Sequence, residues 1–183
     1  MLEFNEELHE YRVDGILVDS VTQILSAEGF IDPTWYDEYS RTRGEYIHRA
    51  CALWDRKALD LDTLDPVIKP YLAGWDAFLK DSGFEILFIE QPLYNTVFAG
   101  TPDRIGKLHG SRMVLEIKSG VPEPWAALQL AGYEVLDGNP CKRIAIQLTV
   151  EGKYKPFPYN NRTDRQVFMA ATAVHNWKKN NRR

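Results

Sequence analysis

With 183 residues, 44% hydrophobic and 26% charged, the chain has enough apolar content for one buried core and lacks the composition of a disordered or fibrous protein. No apolar run reaches the roughly 18 residues of a membrane span, the opening MLEFNEELHEYR lacks the basic then apolar pattern of a signal peptide, and two cysteines, Cys51 and Cys141, are too few for a four-thiolate zinc or iron–sulfur cage. A cytoplasmic, intracellular protein with free thiols and no membrane partner is expected, and its net charge of −4 excludes a chain that is basic throughout.

In chain order, residues 8–18 read as a short hairpin around Asp14-Gly15, followed by a helix over 21–27 opened by the capping serine Ser20. Pro33 starts a second helical region that runs to about residue 58. Residues 64–82 form a third, with Pro66 near its start, a break at Pro70 and a stop at Gly83. Strand-like residues 84–89 come next, then two β-rich segments, 98–108 and 111–119, joined by His109-Gly110, a pair suited to a two-residue turn. A helix over 125–136, a β-rich run over 143–150 and a final helix over 165–179 complete the order. Helices, a strand, a hairpin, then helix and strand indicate an α/β fold with a central mixed sheet flanked by helices. A single domain over 1–183 is expected, ending in a basic helix over about 165–183.

The hairpin carries the chemistry. If His109 and Gly110 form the turn, Leu108 faces Ser111 and Asp103 faces Glu116. Directly opposed side chains have Cβ atoms roughly 4.5–5.5 Å apart, and two carboxylates so placed repel unless something offsets them. A divalent cation does this. Alternation along the strand puts Glu116 and Lys118 on one face and Leu115 and Ile117 on the other. Asp103, Glu116 and the Ile117 carbonyl then offer oxygen ligands to a hard cation such as Mg²⁺, with the Lys118 ammonium beside it. Such a centre suits phosphodiester hydrolysis. One detail fits poorly: in this register Arg104 shares a face with Leu115 and Ile117, which a bulge near Pro102 would repair.

Other residues fall around this centre. Ile47, Ala50, Cys51, Trp54 and Ala58 make a helical core stripe, leaving His48 on its margin, where a histidine reaches a metal between layers or a polar contact at the core edge. Gly44, one turn earlier, permits close approach of a strand or a DNA backbone. Trp125, Gln129 and Tyr133 recur at four-residue spacing, and Gln129 and Tyr133 can donate hydrogen bonds to a phosphate or base. Glu90 is a third candidate carboxylate for the metal or a solvated edge residue. Residues 41–57 carry a local +3 and residues 162–183 a local +5, which leaves −12 elsewhere. These runs read as basic rims around an acidic centre, or, at the C-terminus, as a solvated tail. Arg43, from the first run, and Arg104, beside Asp103, are the expected basic substrate contacts.

Assembled, these pieces resemble the PD-(D/E)XK nuclease superfamily, in particular its RecB-type and phage-type exonucleases. The matching stretches are RGEYIH around His48, AGTPDRIG around Asp103, LEIKSG with Glu116 and Lys118, and QLAGY with Gln129 and Tyr133, with SVTQIL similar to the opening of phage members. They cover roughly residues 15–135 in the family's order. The resemblance implies a restriction-endonuclease-like core and Mg²⁺ or Mn²⁺ held by His48, Asp103 and Glu116, with Glu90 carried over less firmly. It implies Lys118 as the catalytic lysine and Gln129 and Tyr133 as support for substrate contacts. The cluster-bearing members need four cysteines, so no iron–sulfur cluster is expected. The implied role is a stand-alone DNA exonuclease in recombination, repair or phage DNA processing. Its substrate is single- or double-stranded DNA, with dependence on ends, and its partner a recombination or single-strand-binding protein. A structure-specific endonuclease with the same chemistry and a catalytically silent DNA-binding protein are the alternatives, and polarity and oligomeric state stay open.

Overall fold

A computed structural model describes residues 1–5, 8, 10–32 and 37–181. The strands are β1 (Leu2–Asn5), β2 (Glu10–Val13), β3 (Ile16–Val18), β4 (Glu85–Ile89), β5 (Leu93–Tyr94), β6 (Ala99–Gly100), β7 (Arg104–Leu108), β8 (Ser111–Lys118), β9 (Lys142–Leu148) and β10 (Tyr154–Tyr159). The helices are α1 (Val21–Ala27), α2 (Glu38–Asp55), α3 (Lys69–Ser82), α4 (Ala126–Asp137) and α5 (Thr163–Asn181).

A five-stranded mixed sheet in the order β10-β9-β8-β7-β4 forms the centre. Only the β8–β9 pair is parallel, and α4 makes the crossover between those two strands. Alternation along β8 divides the core in two. Met113, Leu115 and Ile117 pack with Ile47, Cys51, Tyr71, Trp75 and Phe78 of α2 and α3. Val114, on the other face, packs with α1, α4 and Phe168 of α5. The fold is thus the helix-flanked mixed sheet expected from the element order. No described helix is long and apolar enough to cross a membrane.

The turns follow local chemistry. His109 and Gly110 both take positive φ, 48° and 74°, as a primed two-residue turn demands. This turn sets Leu108 opposite Ser111 and Arg104 opposite Leu115. Asp14 and Gly15 do the same between β2 and β3. Ser20 and Gln23 form a reciprocal capping box at the start of α1.

Several boundaries differ from the sequence reading. Residues 98–108 do not make one strand: β6 pairs with β5, Thr101–Asp103 break away, and β7 begins only at Arg104. Pro70 does not break a helix. It sits in the first turn of α3, where its missing N–H costs nothing, and Gly83 closes that helix at φ 64°. β10 was not foreseen because Pro156 and Pro158 argue against a strand, but it lies on the sheet edge, where proline is tolerated. β1, paired with β2, was also missed. The expected helix start at Pro33 lies outside the described residues.

Candidate active site

The early end of β7 builds the site. The ladder between β7 and β8 stops at Arg104–Leu115, so the Ile117 N–H has no β7 carbonyl to meet. The Asp103 side chain takes that place: its Oδ2 accepts from Ile117 N at 2.6 Å. The Asp103 N–H in turn points to Glu116 Oε1 at 3.4 Å. In an extended strand the carbonyl of a residue points the same way as its N–H, so the Ile117 carbonyl also faces Asp103. No bulge is needed near Pro102.

Five further contacts extend the network. His48 of α2 donates from Nδ1 to Asp103 Oδ1 at 2.9 Å. Lys118 Nζ donates to Glu116 Oε2 at 3.0 Å and to Gln129 Oε1 at 2.9 Å. Gln129 Nε2 donates to the Tyr133 hydroxyl at 3.2 Å, which turns the amide oxygen toward the lysine. The Lys118 ammonium also lies 5.0 Å from the centre of the Trp125 ring. Trp125, Gln129 and Tyr133 reach the site together because four-residue spacing stacks them on one side of α4 and its entry.

Burial and charge set the protonation balance. Asp103 is 8% exposed and Glu116 3%. Burial pushes Glu116 up, and the Asp103 charge adds to it, so its carboxyl is raised to about 7 despite Lys118 and His48. For Asp103 burial acts upward too, but His48, Lys118 and the Ile117 N–H outweigh it and hold the carboxyl below its usual range. Burial alone lowers His48, yet the Asp103 charge and hydrogen bond, joined by Glu116, keep it above the ordinary histidine value. Burial lifts the Tyr133 phenol well above its normal range, so it stays neutral. The pair is therefore one ionised carboxylate beside one poised to share a proton.

This donor set suits a hard divalent cation. Among the described residues no three His, Cys, Asp or Glu side chains form a closed metal cage. Mg²⁺ does not require one: it binds through one or two carboxylates and keeps water or substrate oxygens in its other positions. Asp103 and Glu116 provide two carboxylates and the Ile117 carbonyl a further oxygen, and a cation between the carboxylates would offset both the burial and the Asp103 charge that raise Glu116. His48, bonded through Nδ1 to Asp103, is placed to orient that carboxylate.

Other expected site residues stand elsewhere. Glu90, at φ 49°, turns its carboxylate to Arg56 at 3.1 Å and joins the site only through its main-chain N–H, which donates to the Asp103 carbonyl at 3.0 Å. Arg104 was expected at the substrate, but it is 1% exposed, on the same face as Leu115 and Ile117, with Asp55 Oδ2 2.6 Å from its Nε. A buried partner from α2 makes that apolar side habitable for a guanidinium. Arg43 is half-buried, its guanidinium 5.5 Å and 5.9 Å from the rings of Tyr39 and Tyr71. A Cβ added at Gly44 would meet nothing nearer than Ser119 Oγ at 3.7 Å, so no protein segment there requires glycine.

The basic runs are partly neutralised within the chain. Arg56 pairs with Glu90, Lys178 with Glu28 and Lys179 with Asp19, so the described C-terminal lysines are docked on α1 and its entry instead of forming a loose tail. Arg182 and Arg183 lie outside the described residues. Asp55 and Trp75 are the site's neighbours that the sequence pattern does not single out: Asp55 enters only the charge of residues 41–57, and Trp75 carries no local signal.

No family model and no curated protein matches the chain. Among solved structures it is similar to that of SSO0001, at 14% identity over 89% of this chain and 86% of that one, with a TM-score of 0.39. It is also similar to an alkaline exonuclease, LHK-Exo, from Laribacter hongkongensis, at 12% identity over 89% of this chain and 92% of that one, with a TM-score of 0.42. LHK-Exo in complex with dAMP gives 13% identity over the same 89% and 92%, with a TM-score of 0.41. Likenesses this slight carry no argument about the reaction, which rests on the geometry of the site.

Proposed function

We propose that this protein is a divalent-metal-dependent deoxyribonuclease of the PD-(D/E)XK kind, hydrolysing phosphodiester bonds from DNA ends. The observation that carries the reading is the buried Asp103–Glu116 pair, with the Asp103 main-chain N–H 3.4 Å from Glu116 Oε1 and the Lys118 ammonium 3.0 Å from Glu116 Oε2. Burying two acids side by side raises the free energy of the folded chain, and a structural role gives no reason for it. A site that gathers a cation and a phosphate gives one.

Asp103, Glu116 and the Ile117 carbonyl would hold the metal. A bound Mg²⁺ or Mn²⁺ supplies Lewis acidity that polarises a phosphoryl oxygen and activates water. His48 keeps the Asp103 carboxylate in one rotamer. Lys118 neutralises charge that builds on the phosphate during attack and orients the nucleophile's oxygen, a role worth about 10²–10³-fold in rate for one preorganised donor. Gln129 holds the lysine in place through its amide oxygen, and Tyr133 anchors the other end of the amide, since a flip would turn the amide N–H toward the ammonium. The biological setting that suits this chemistry is DNA recombination, repair or phage DNA processing.

Incubation with end-labelled linear duplex and with closed-circular duplex, in Mg²⁺ or Mn²⁺, tests the reading. Nucleotides or short fragments are expected from the linear substrate, closed circles are expected to survive, and EDTA is expected to stop the reaction. Cleavage of both forms at equal rates would replace the exonuclease with an endonuclease. Metal-independent binding without cleavage would leave a silent DNA-binding protein.

A further inference from the structure

The residue next to Asp103 in sequence has its own connection to it. Arg104 points away from the carboxylate site into the layer of α2 and α3, where it and Asp55 are 1% and 0% exposed at their side chains. Its Nε donates to Asp55 Oδ2 at 2.6 Å, its guanidinium lies 5.5 Å from the centre of the Trp75 ring, and Trp75 Nε1 donates to Asp55 Oδ1 at 2.9 Å. One remaining nitrogen, Nη1, donates to the main-chain carbonyl of Asp103 at 2.5 Å. The other, Nη2, is buried without a hydrogen-bond partner among the described residues.

A buried ion pair of this sort gives back in attraction about what it costs in lost hydration, and an apolar pair of similar volume is often as stable. An orphaned N–H makes it more expensive still. Stability alone therefore does not account for the guanidinium, whereas its planar fork does one thing that an apolar group cannot: it reaches Asp55 and the Asp103 carbonyl at once.

We propose that Arg104 is a positioning residue for Asp103, with Asp55 and Trp75 fixing the guanidinium. Asp103 precedes the first residue of β7, beyond the last rung that β7 makes with β8, so β8 does not set its backbone. Two donors on its carbonyl, Arg104 Nη1 and the Glu90 N–H, replace the ladder. α2 grips the residue at both ends: His48 holds the carboxylate, and Asp55, seven residues later on the same side of the helix, holds the arginine that holds the carbonyl. The device keeps the carboxylate against Ile117 N and in reach of Glu116. Its kinetic consequence rests on the nuclease reading above; its structural consequence does not.

The test uses Arg104→Lys, which keeps a cation for Asp55 but loses the fork, and Trp75→Phe, which removes the N–H that Asp55 accepts together with part of the buried ring. Two readouts are taken on the full chain: kcat and KM on linear DNA with Mn²⁺, and hydrogen exchange of the Ile117 and Glu90 amides. In Arg104→Lys kcat is expected to fall about 10²-fold, the size of effect that a displacement of about 1 Å produces, with KM within about threefold of wild type. The two amides are expected to exchange faster while core amides such as Leu130 keep their protection. Trp75→Phe is expected to show the same pattern in smaller measure, and it decides alone if Arg104→Lys does not fold. Wild-type kcat and wild-type Ile117 and Glu90 exchange in a folded variant would overturn the proposal, as would a uniform loss of protection across the core. A wild-type protein that cleaves nothing would overturn the nuclease reading instead, and the amide exchange would still decide the role of Arg104.

Discussion

Lys118→Ala is expected to reduce kcat on linear DNA about 10³-fold, equivalent to about 4 kcal/mol of transition-state stabilisation, while KM changes little. The ammonium is held by Glu116 and Gln129 and lies over the Trp125 ring, so it is oriented before substrate arrives. A preorganised cation of this sort acts where charge develops and contributes little to ground-state binding. Steady-state kinetics with Mn²⁺ check the split. A variant with higher KM and wild-type kcat would make Lys118 a DNA-binding residue, and an undiminished kcat/KM would remove it from the mechanism. The substitution also takes the nearest cation from Glu116, so the variant is expected to be less stable at pH 8 than at pH 5.

Glu116→Gln is expected to inactivate the protein and, without metal, to stabilise it. The carboxyl rises from 4.5 to about 7 on folding, through burial and the Asp103 charge. A raised carboxyl favours the folded state fully below the unfolded pKa, and that advantage is lost as pH climbs to the folded value. The wild-type chain therefore loses stability between about pH 4.5 and 7, by about 3 kcal/mol for a shift of this size. Glutamine mimics the protonated acid at every pH. In EDTA at pH 8 the variant is expected to unfold roughly 6–12 °C above wild type, and near pH 4 the two are expected to coincide. Mg²⁺ is expected to raise the wild-type midpoint and leave that of the variant nearly unmoved. Thermal scans at the two pH values, with EDTA and with Mg²⁺, check all three statements. A variant less stable than wild type at pH 8 would show that the two carboxylates are not in conflict.

Such a trade, in which the active residue lowers stability, explains what was legible in the sequence. The register of the central hairpin was readable because a two-residue turn leaves one choice of partners, and that choice places Asp103 opposite Glu116. The spacing of Trp125, Gln129 and Tyr133 was readable as one side of a helix, although it did not say that Gln129 would turn toward Lys118 and not outward. The face of Arg104 was also readable, and it was distrusted because an arginine among Leu115 and Ile117 breaks the alternation rule. What resolves it is Asp55, a partner from another helix, which no local pattern reveals. β10 was lost for the opposite reason: its prolines obey a rule for edge strands, and the edge is a property of the whole sheet. Arg43 is a candidate substrate contact by charge, and charge does not foresee the two tyrosine rings beside it.

The claim on which the rest depends is that Asp103 and Glu116 gather a cation for phosphodiester hydrolysis. Its most direct test is the single-turnover rate of nucleotide release from end-labelled linear duplex, measured for the wild-type chain and for Asp103→Asn with Mn²⁺ and with EDTA. The expected result is release by the wild type in Mn²⁺, none in EDTA, and a rate at least about 10³-fold lower for Asp103→Asn. Equal rates for the two proteins, or release that persists in EDTA, would contradict it.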